Sequence, residues 1–509
     1  MQSNPIREAL TSGRFSYIVE LVASQRTPEA KIFQAGSDLA RIPGVIAAGV
    51  TSYAGGSAGH DPIRIGAGVR SRGLTPNVHI TCVNKDRQEI LKSLETCHSL
   101  GIENIFAITG DYPLGADPAA PHGGNPASPP LFAMDSVQLV EMISELRAAG
   151  MQFYTSVAVS PFKYTEADCS WQYLKLEKKI AAGADYAITQ LGYDSRKFRE
   201  LKRFLDERGL KTPVFGNVYV LPPKAAEKFS KGEPPGCWVS KELLERIQTE
   251  AKAEDKGMAA RLERADRMVA ILRGLGYAGA YIGGSDNAAR IQWIIQRSEE
   301  VASQWEEFAE EISYGPKGGF YYFEAPPHPP KPLGAIPRVL DTMAQLFPVK
   351  HEDNGLRRFL TSILQWVDER PAAAHALESV ELAIKAPLFG CKACGNCVLG
   401  EMEYVCPMTC PKNMRNGPCG GTLNGMCEVL PDKPCIWVKV YETAQGANRI
   451  DELKVYIPPR NRSLQGTSSF INLFLERDSR PGHDTNPAAT SLIQIDNVQV
   501  ETTVTAAKP

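Results

Sequence analysis

Eight short apolar runs recur along roughly the first 285 residues of this 509-residue chain, and helix-length polar segments separate them. A regular alternation of eight strands with helices is what a closed (β/α)8 barrel requires. The sequence therefore predicts an α/β fold that begins with a barrel of the TIM type. The predicted strands are Phe15–Leu21, Gly44–Ser52, Asn77–Cys82, Asn104–Thr109, Gln152–Val159, Tyr186–Gln190, Pro213–Val220 and Gly279–Gly284.

Polar residues stand at the ends of three predicted strands, namely Glu20, Asp111 and Gln190. In such barrels chemistry takes place where the strands end, and unpaired polar groups are costly beside a packed interior. We therefore predict a catalytic rim, where Glu20, partly shielded from water, holds its proton tightly enough to act as a general acid. Structural interpretations remain open: an ion pair for Glu20, turn chemistry for Gly110-Asp111, and a loop partner for Gln190.

The cysteines are distributed unevenly, because eight of the 12 lie within residues 391–435. Thiols at such short spacing in a reducing compartment are typical of metal ligands rather than of a secreted disulfide framework. The Cys391-x2-Cys394-x2-Cys397 triplet favours a 4Fe-4S cluster, and one or two tetrahedral zinc ions are the alternative. The predicted ligands are Cys391, Cys394, Cys397, Cys406, Cys410, Cys419, Cys427 and Cys435.

Changes in composition divide the chain into four predicted regions. The barrel occupies residues 1–312, and a connector rich in Pro and Gly covers residues 313–335. Residues 336–478 combine apolar positions at helical spacing with the cysteines, which predicts a helical segment followed by a small cysteine-rich metal-binding domain. Residues 479–509 are rich in Pro, Asn, Thr and Ala, and this composition predicts disorder.

Charge and hydropathy narrow the classes of partner. A net charge of −2 gives no general attraction to nucleic acid or to an anionic membrane. The first ten residues lack the apolar core of a secretory signal, and no run approaches the roughly 18 apolar residues of a membrane span. We therefore expect a cytoplasmic protein that binds neither nucleic acid nor membrane.

The strand-end residues, taken in order, resemble those of methylenetetrahydrofolate reductase, a flavin-dependent TIM barrel. The resemblance covers roughly residues 10–300 and rests on Glu20, Thr51, His79-Ile-Thr-Cys82, Thr109-Gly-Asp111 and Ala184-Asp-Tyr-Ala-Ile-Thr-Gln190. The later part resembles the cysteine-rich C-terminal module found with some bacterial members. Its matching motifs are Cys391-x2-Cys-x2-Cys397, Cys406-Pro-Met-Thr-Cys-Pro411, Asn416-Gly-Pro-Cys-Gly-Gly421 and Gly466-Thr-Ser-Ser469.

The resemblance implies reversible conversion of 5,10-methylenetetrahydrofolate to 5-methyltetrahydrofolate by hydride transfer from a reduced flavin, a step of one-carbon metabolism that can feed methionine biosynthesis. It implies that Glu20 protonates N10 of the folate, that Asp111 lies near flavin and pterin, and that Gln190 holds the pterin edge. The implied flavin is FAD, with FMN possible, and the implied flavin-binding residues are Thr51, His79, Gly110, Asp111 and Lys179.

Four positions depart from the family's usual pattern: Thr109 replaces an Arg, Gln172 an Asp, Val159 an aromatic residue, and Pro223 a Phe that stacks on the nicotinamide cofactor in some members. The electron donor is therefore open between NADH, NADPH and an electron-donor protein. We also expect a homo-oligomer. Two other classes remain: a folate-dependent TIM-barrel methyltransferase that needs no flavin, and a non-catalytic electron-transfer or scaffold subunit.

Overall fold

A computed structural model describes residues 4–52, 59–113, 116, 130–324, 331–346 and 355–478. The predicted tail, residues 479–509, and residues 325–330 of the predicted connector lie outside the described residues. Among the helices described, none is both long and apolar enough to cross a membrane.

Eight parallel strands close into a barrel in which each strand pairs with the next and β8 pairs with β1. Every predicted strand is present, so the predicted (β/α)8 fold is confirmed. The strands are β1 Ser16–Leu21, β2 Val45–Val50, β3 Thr75–Thr81, β4 Asn104–Ile108, β5 Tyr154–Val159, β6 Tyr186–Thr189, β7 Val214–Tyr219 and β8 Gly279–Gly283.

Helices follow the strands around the barrel and continue through the C-terminal part. They are α1 Pro5–Thr11, α2 Glu29–Leu39, α3 Pro62–Arg70, α4 Arg87–Ser99, α5 Ser136–Ala148, α6 Glu166–Ala181, α7 Ser195–Glu207, α8 Pro223–Phe229, α9 Lys241–Glu250, α10 Met258–Gly274, α11 Ala288–Glu300, α12 Trp305–Glu311, α13 Ala335–Leu346, α14 Gly355–Asp368, α15 Pro371–Phe389, α16 Ile436–Gly446 and α17 Ser469–Phe474.

The barrel interior is filled by alternate residues of the strands. Large side chains dominate this inner cluster, including Ile18, Phe106, Tyr186, Phe215 and Tyr281. Because side chains of a strand alternate between its two faces, the intervening residues face the surrounding helices and build the larger outer core. The same alternation carries an inward-facing side chain from the interior to the carboxyl end of each strand, where the barrel opens.

The chain divides into two compact units. The first comprises the described parts of Met1–Phe347, Lys385–Lys392 and Val398–Pro459, and the second those of Pro348–Ile384, Ala393–Cys397 and Arg460–Pro509. In the second unit, α14 packs on α17, and the buried carboxylate of Glu381 accepts hydrogen bonds from Ser468 and Ser469.

Residues 398–459, in the first unit, share a hydrophobic core with α6. Trp171 on α6 packs edge-to-face on Trp437, with ring centroids 5.1 Å apart, and its indole Nε1 donates to the Trp437 carbonyl at 2.6 Å. Leu174 joins the same cluster, together with Met402 and Met414. The cysteine-rich segment is therefore packed against a barrel helix through large apolar side chains.

Candidate active site at the barrel mouth

Glu20 is the inward-facing residue at the end of β1, two positions after the buried Ile18. Burial disfavours its ionised form and raises its pKa from 4.5 to about 7, against a smaller opposing effect from a hydrogen bond with the Gly284 backbone. No cation of the described chain contributes to this shift. The side chain is thus not held as the charged half of an ion pair within that part of the structure.

Small residues leave space around this carboxyl group. A Cβ added to Gly283, at the end of β8, would lie 2.9 Å from Glu20 Oε2 and 3.0 Å from the Tyr219 ring. A Cβ on Gly49 of β2 would lie 2.3 Å from the Tyr281 hydroxyl. The 2.9 Å and 2.3 Å distances to oxygen are shorter than a Cβ can tolerate against a fixed neighbour, so glycine at these two positions lets the polar side chains occupy the mouth.

His79 lies on β3 with its ring buried in the barrel. Its Nε2 is 3.4 Å from the Tyr281 hydroxyl, and its ring meets Phe106 edge-on with centroids 4.7 Å apart. Burial lowers the pKa of His79 to about 3. The imidazole is therefore neutral at physiological pH, with one ring nitrogen able to donate and the other to accept.

Asp111 follows β4 after Gly110, whose φ of +91° is a left-handed conformation that favours glycine. Although the Asp111 side chain is accessible at the mouth, burial raises its pKa, Lys412 opposes that increase, and Glu428 adds to it. Lys412 Nζ also donates to the Gly110 carbonyl oxygen at 2.9 Å. Burial thus has the largest effect on the pKa of Asp111, and two charged residues of the cysteine-rich segment modify it.

Gln190 extends from the end of β6 and is half-buried. Its Oε1 accepts a hydrogen bond from the Leu191 N–H at 2.8 Å, so its amide oxygen is satisfied by its own neighbour. Its Nε2 is 3.5 Å from where a Cβ on Gly236 would stand. The hydrogen bond to its Oε1 therefore fixes the orientation of the Gln190 side-chain amide.

The remaining predicted cofactor residues occupy different places. Thr51 follows β2, and its Oγ1 accepts from the Ala23 N–H at 3.2 Å. Lys179 is buried on α6 and donates to the Ala158 carbonyl at 2.6 Å; burial, with a smaller effect from Lys175, lowers its pKa to about 7. The Lys179 ammonium therefore already donates to a backbone carbonyl of strand β5.

Two buried hydroxyl groups at strand ends have no hydrogen-bond partner within the described residues. They belong to Thr81, at the end of β3, and Ser160, directly after β5. Buried hydroxyls ordinarily find a partner, so these two are suited to a bound group with polar edges. A flavin ring system, which carries carbonyl oxygens and ring nitrogens, fits that requirement.

The cysteine-rich segment reaches the barrel through buried charged residues that the sequence analysis missed. Lys163, just after β5, donates to the carbonyls of Gly420, at 2.8 Å, and Thr422. Lys175 on α6 donates to the Pro418 carbonyl at 2.8 Å. No local pattern identifies these residues, because each partner lies more than 240 positions away.

Asp135 has a double role at the start of α5. Its Oδ1 caps the helix by accepting from the N–H groups of Val137 and Gln138. Its Oδ2 accepts from Arg415 N at 3.2 Å, Asn416 N at 2.9 Å and Asn416 Nδ2 at 3.2 Å. One carboxylate therefore joins a barrel helix to the cysteine-rich segment.

Four of the predicted metal ligands influence one another electrostatically, namely Cys410, Cys419, Cys427 and Cys435. Burial raises the pKa of the Cys410, Cys419 and Cys435 thiols, and other members of this four-thiol group raise it further. Within the described ranges, His, Cys, Asp and Glu side chains form no group of three or more in a metal-binding arrangement. Cys394 and Cys397 belong to the second unit.

The fold and the site define a class: a (β/α)8 barrel with a proton-holding carboxyl group at its mouth. Comparison with known sequences makes this more specific. The profile described as methylenetetrahydrofolate reductase matches residues 6–276, and the profile described as methylene-tetrahydrofolate reductase C terminal matches residues 371–463. The chain therefore belongs to the methylenetetrahydrofolate reductase family, as the resemblance predicted.

Individual relatives match over shorter stretches. Methylenetetrahydrofolate reductase 2 of Schizosaccharomyces pombe is 30% identical over 193 residues, 36% of this chain and 28% of the relative. The 5,10-methylenetetrahydrofolate reductase of Salmonella typhimurium is 28% identical over 166 residues, 32% of this chain and 50% of the relative. The chain thus spans half or less of the length of these curated relatives.

One solved structure shows a weaker likeness. It is described as an uncharacterized protein from Clostridium thermocellum that binds two copies of 5-methyl-5,6,7,8-tetrahydrofolic acid. It covers 58% of this chain and 99% of its own, at 10% sequence identity and a TM-score of 0.41. A likeness of that size carries no conclusion about this chain.

Proposed function

We propose that this protein interconverts 5,10-methylenetetrahydrofolate and 5-methyltetrahydrofolate with the help of a bound flavin. The observation that carries the proposal is Glu20, whose raised pKa of about 7 leaves it partly protonated at physiological pH. A general acid works best when its pKa lies near the working pH, because it can then both hold and release a proton. An ordinary exposed glutamate would be almost fully ionised there.

Glu20 performs the proton transfer in this proposal. It donates a proton to N10 of the folate in the direction of reduction and takes it back in the direction of oxidation. The Gly283 position leaves its Oε2 uncovered on the β8 side, where a Cβ would otherwise approach to 2.9 Å. Burial, which raises the pKa, also excludes the water that would compete for the proton.

The flavin supplies the hydride chemistry when bound. Thr81 and Ser160 offer unpaired hydroxyls to its polar edges, and the neutral His79 offers a further donor or acceptor. Thr51 and the Gly110 turn line the same mouth. FAD is the proposed form, with FMN as the alternative, and phosphate binding by Lys179 would require its ammonium to leave the Ala158 carbonyl.

Asp111 and Gln190 orient the pterin. Asp111 is accessible at the mouth and offers carboxylate oxygens to the donor groups of the pterin edge. Gln190 is anchored through its Oε1, so its amide group is presented in one orientation. Orientation of this kind lowers the barrier because the reacting atoms are already aligned.

The test is the visible spectrum of the protein purified without oxygen, before and after addition of 5-methyltetrahydrofolate. A flavin band that bleaches on addition supports the proposed half-reaction. Glu20→Gln should retain the band and bleach at least about 100-fold more slowly, since a general acid or base contributes that much. Glu307→Gln, an exposed glutamate of α12, is the matched control and should bleach at the parent rate.

Two outcomes would overturn the proposal. A protein that stays colourless after incubation with FAD or FMN would favour the methyltransferase or scaffold alternatives. Bleaching at the parent rate in Glu20→Gln would remove Glu20 from the chemistry. Anaerobic mixing of the oxidised protein with NADH, and separately with NADPH, identifies the electron donor by which of them reduces the flavin; reduction by neither favours a protein donor.

We also propose that the cysteine-rich segment binds metal, through a set that includes the four-thiol group defined above. Support comes from the mutual effects of these thiols on their pKa values, because like charges affect one another only at short range. Metal analysis of the purified protein separates zinc from iron with sulfide. Cys410→Ser and Cys435→Ser should each lower the metal content, whereas Cys97→Ser, which replaces a buried thiol of α4, should not.

A further inference from the structure

Residues 410–425 lie along the barrel mouth from β4 to the loop after β7. At the β4 end, Lys412 contacts the Gly110 carbonyl. Beyond β5, Lys163 holds the Gly420 carbonyl. A Cβ on Gly236, in the loop after β7, would lie 2.9 Å from the Gly420 carbonyl oxygen. The cysteine-rich segment therefore meets several of the strand ends where the candidate site lies.

Lys412 differs from the other buried lysines at this contact because it belongs to the cysteine-rich segment rather than to the barrel. Lys163 and Lys175 extend from the barrel and hold carbonyls of the segment, whereas Lys412 extends from the segment and holds a carbonyl of the barrel. Its side chain is 2% exposed and forms an ion pair with Glu428, which is equally buried. The buried Lys412 ammonium group thus lies against the turn that contains Asp111.

The segment is anchored without Lys412. Asp135 accepts three hydrogen bonds from Arg415 and Asn416, and Trp171 packs on Trp437. A buried ion pair stabilises a fold no better than apolar residues of similar size, because two charges must leave water. Anchoring alone therefore leaves the position of the Lys412 charge unexplained.

We propose that Lys412 is a positioning residue of the barrel's active site: by holding the Gly110 carbonyl it fixes the Gly110-Asp111 turn, so that the cysteine-rich segment completes the pocket for substrate. The proposal rests on the proposed function insofar as the substrate is a folate. Its structural step, the fixing of the turn, is independent of which ligand binds.

The test uses two variants and a control. Lys412→Met alone would leave the Glu428 carboxylate buried without its partner, so the comparison is made between Glu428→Gln and Lys412→Met/Glu428→Gln. The pair differs only in the lysine. Lys433→Met, an exposed lysine of the same segment, is the matched control. Melting temperature and metal content are measured for each, so that a folding or metal defect is recognised.

The first readout is hydrogen–deuterium exchange of a peptide covering residues 104–113. We expect faster exchange near Gly110 in the double variant than in Glu428→Gln, and no change in Lys433→Met. Unchanged exchange in a folded double variant would overturn the proposal. This readout needs neither flavin nor folate, so it gives an answer even if the proposed function fails.

The second readout is steady-state oxidation of 5-methyltetrahydrofolate with a dye as electron acceptor. We expect KM to rise about tenfold between Glu428→Gln and the double variant, the size that follows from losing one hydrogen bond to a charged group. Equal KM and kcat in the two variants would assign Lys412 a structural role only. Absence of folate oxidation in the parent protein would instead refute the proposed function.

Discussion

The two sides of the barrel mouth hold their carboxyl groups by different means. On the β1–β8 side, Glu20 is enclosed by neighbours that the barrel itself provides, and burial sets its pKa. On the β4 side, burial also raises the pKa of Asp111, but Lys412 opposes that increase, and Lys412 comes from 302 positions after the Gly110 it contacts. The first environment follows from strand alternation and small residues, whereas the second depends on a separate segment packing in one particular way.

The environment of Glu20 therefore needs only a folded barrel, whereas that of Asp111 also needs the cysteine-rich segment in place. A carboxyl group shielded by its own barrel keeps its raised pKa whenever the barrel is folded. A carboxyl group balanced by a distant lysine is correctly placed only when the cysteine-rich segment is docked. The two sides should therefore respond differently to substitutions, and four predictions test this.

The largest effect is expected at Glu20. Glu20→Gln should lower kcat by about 100-fold or more, because the neutral amide cannot donate the proton. The melting temperature should not fall, since the substitution removes a buried ionisable group. Steady-state folate oxidation and thermal unfolding measure the two quantities. A loss of activity accompanied by unfolding would show that the two sides are not independent.

The second largest effect should be structural, at Asp135. Asp135→Ala removes a helix cap and leaves the buried N–H groups of Arg415 and Asn416 without their acceptor. The expected cost is about 3 kcal/mol of unfolding free energy. Denaturant titration measures it, and Asp61→Ala, which removes the cap of α3 alone, is the control, with an expected cost of about 1 kcal/mol. Equal costs would mean that the Asp135 contact with the segment adds nothing.

A smaller effect is expected from crowding Glu20. In Gly283→Ala the added methyl group meets Glu20 Oε2 and Tyr219, so the carboxyl group must shift. We expect kcat to fall about tenfold with little change in KM. Gly355→Ala adds its methyl group where nothing lies within 4 Å and should leave both constants unchanged. A parent-like Gly283→Ala would show that the carboxyl group has room to move.

The smallest effect is a pH dependence of stability. Because the folded-state pKa of Glu20, about 7, exceeds its ordinary value of 4.5, the folded protein binds this proton more tightly than the unfolded chain does. The resulting stability is fully present below pH 4.5 and is lost as the pH rises through 7. Glu20→Gln should therefore match the parent's melting temperature near pH 5 and exceed it by about 2 °C at pH 8. A constant difference across this range would contradict the raised pKa.

Much of the barrel could be predicted from the sequence because its signals are local. The eight apolar runs identified every strand, and their ends identified the position of Glu20, since strand alternation determines which side chain faces the mouth. The shared core of Trp171 and Trp437 could not be predicted in this way. The two tryptophans are 266 positions apart, so no local pattern pairs them.

Lys412 and Asp135 illustrate the same limit at the site. In sequence, Lys412 is a lysine between cysteines, and Asp135 begins a helix with Gln138 three positions later. The sequence next to each of these residues does not indicate that it has a long-range contact. Only the fold brings Lys412 to Gly110 and Asp135 to Asn416, so the β4 side of the mouth could not be read from motifs.

The separation between Asp135 and Asn416 has a consequence for synthesis. The two residues are 281 positions apart, and β8 ends at Gly283, well before the segment emerges. At about 5–20 residues per second, a ribosome adds the chain from Gly283 to Asn416 in roughly 7 to 27 seconds. During that interval a nascent barrel exposes the Asp135 carboxylate and the Lys163 and Lys175 ammonium groups to water. Only the β1–β8 side of the mouth is then complete for substrate.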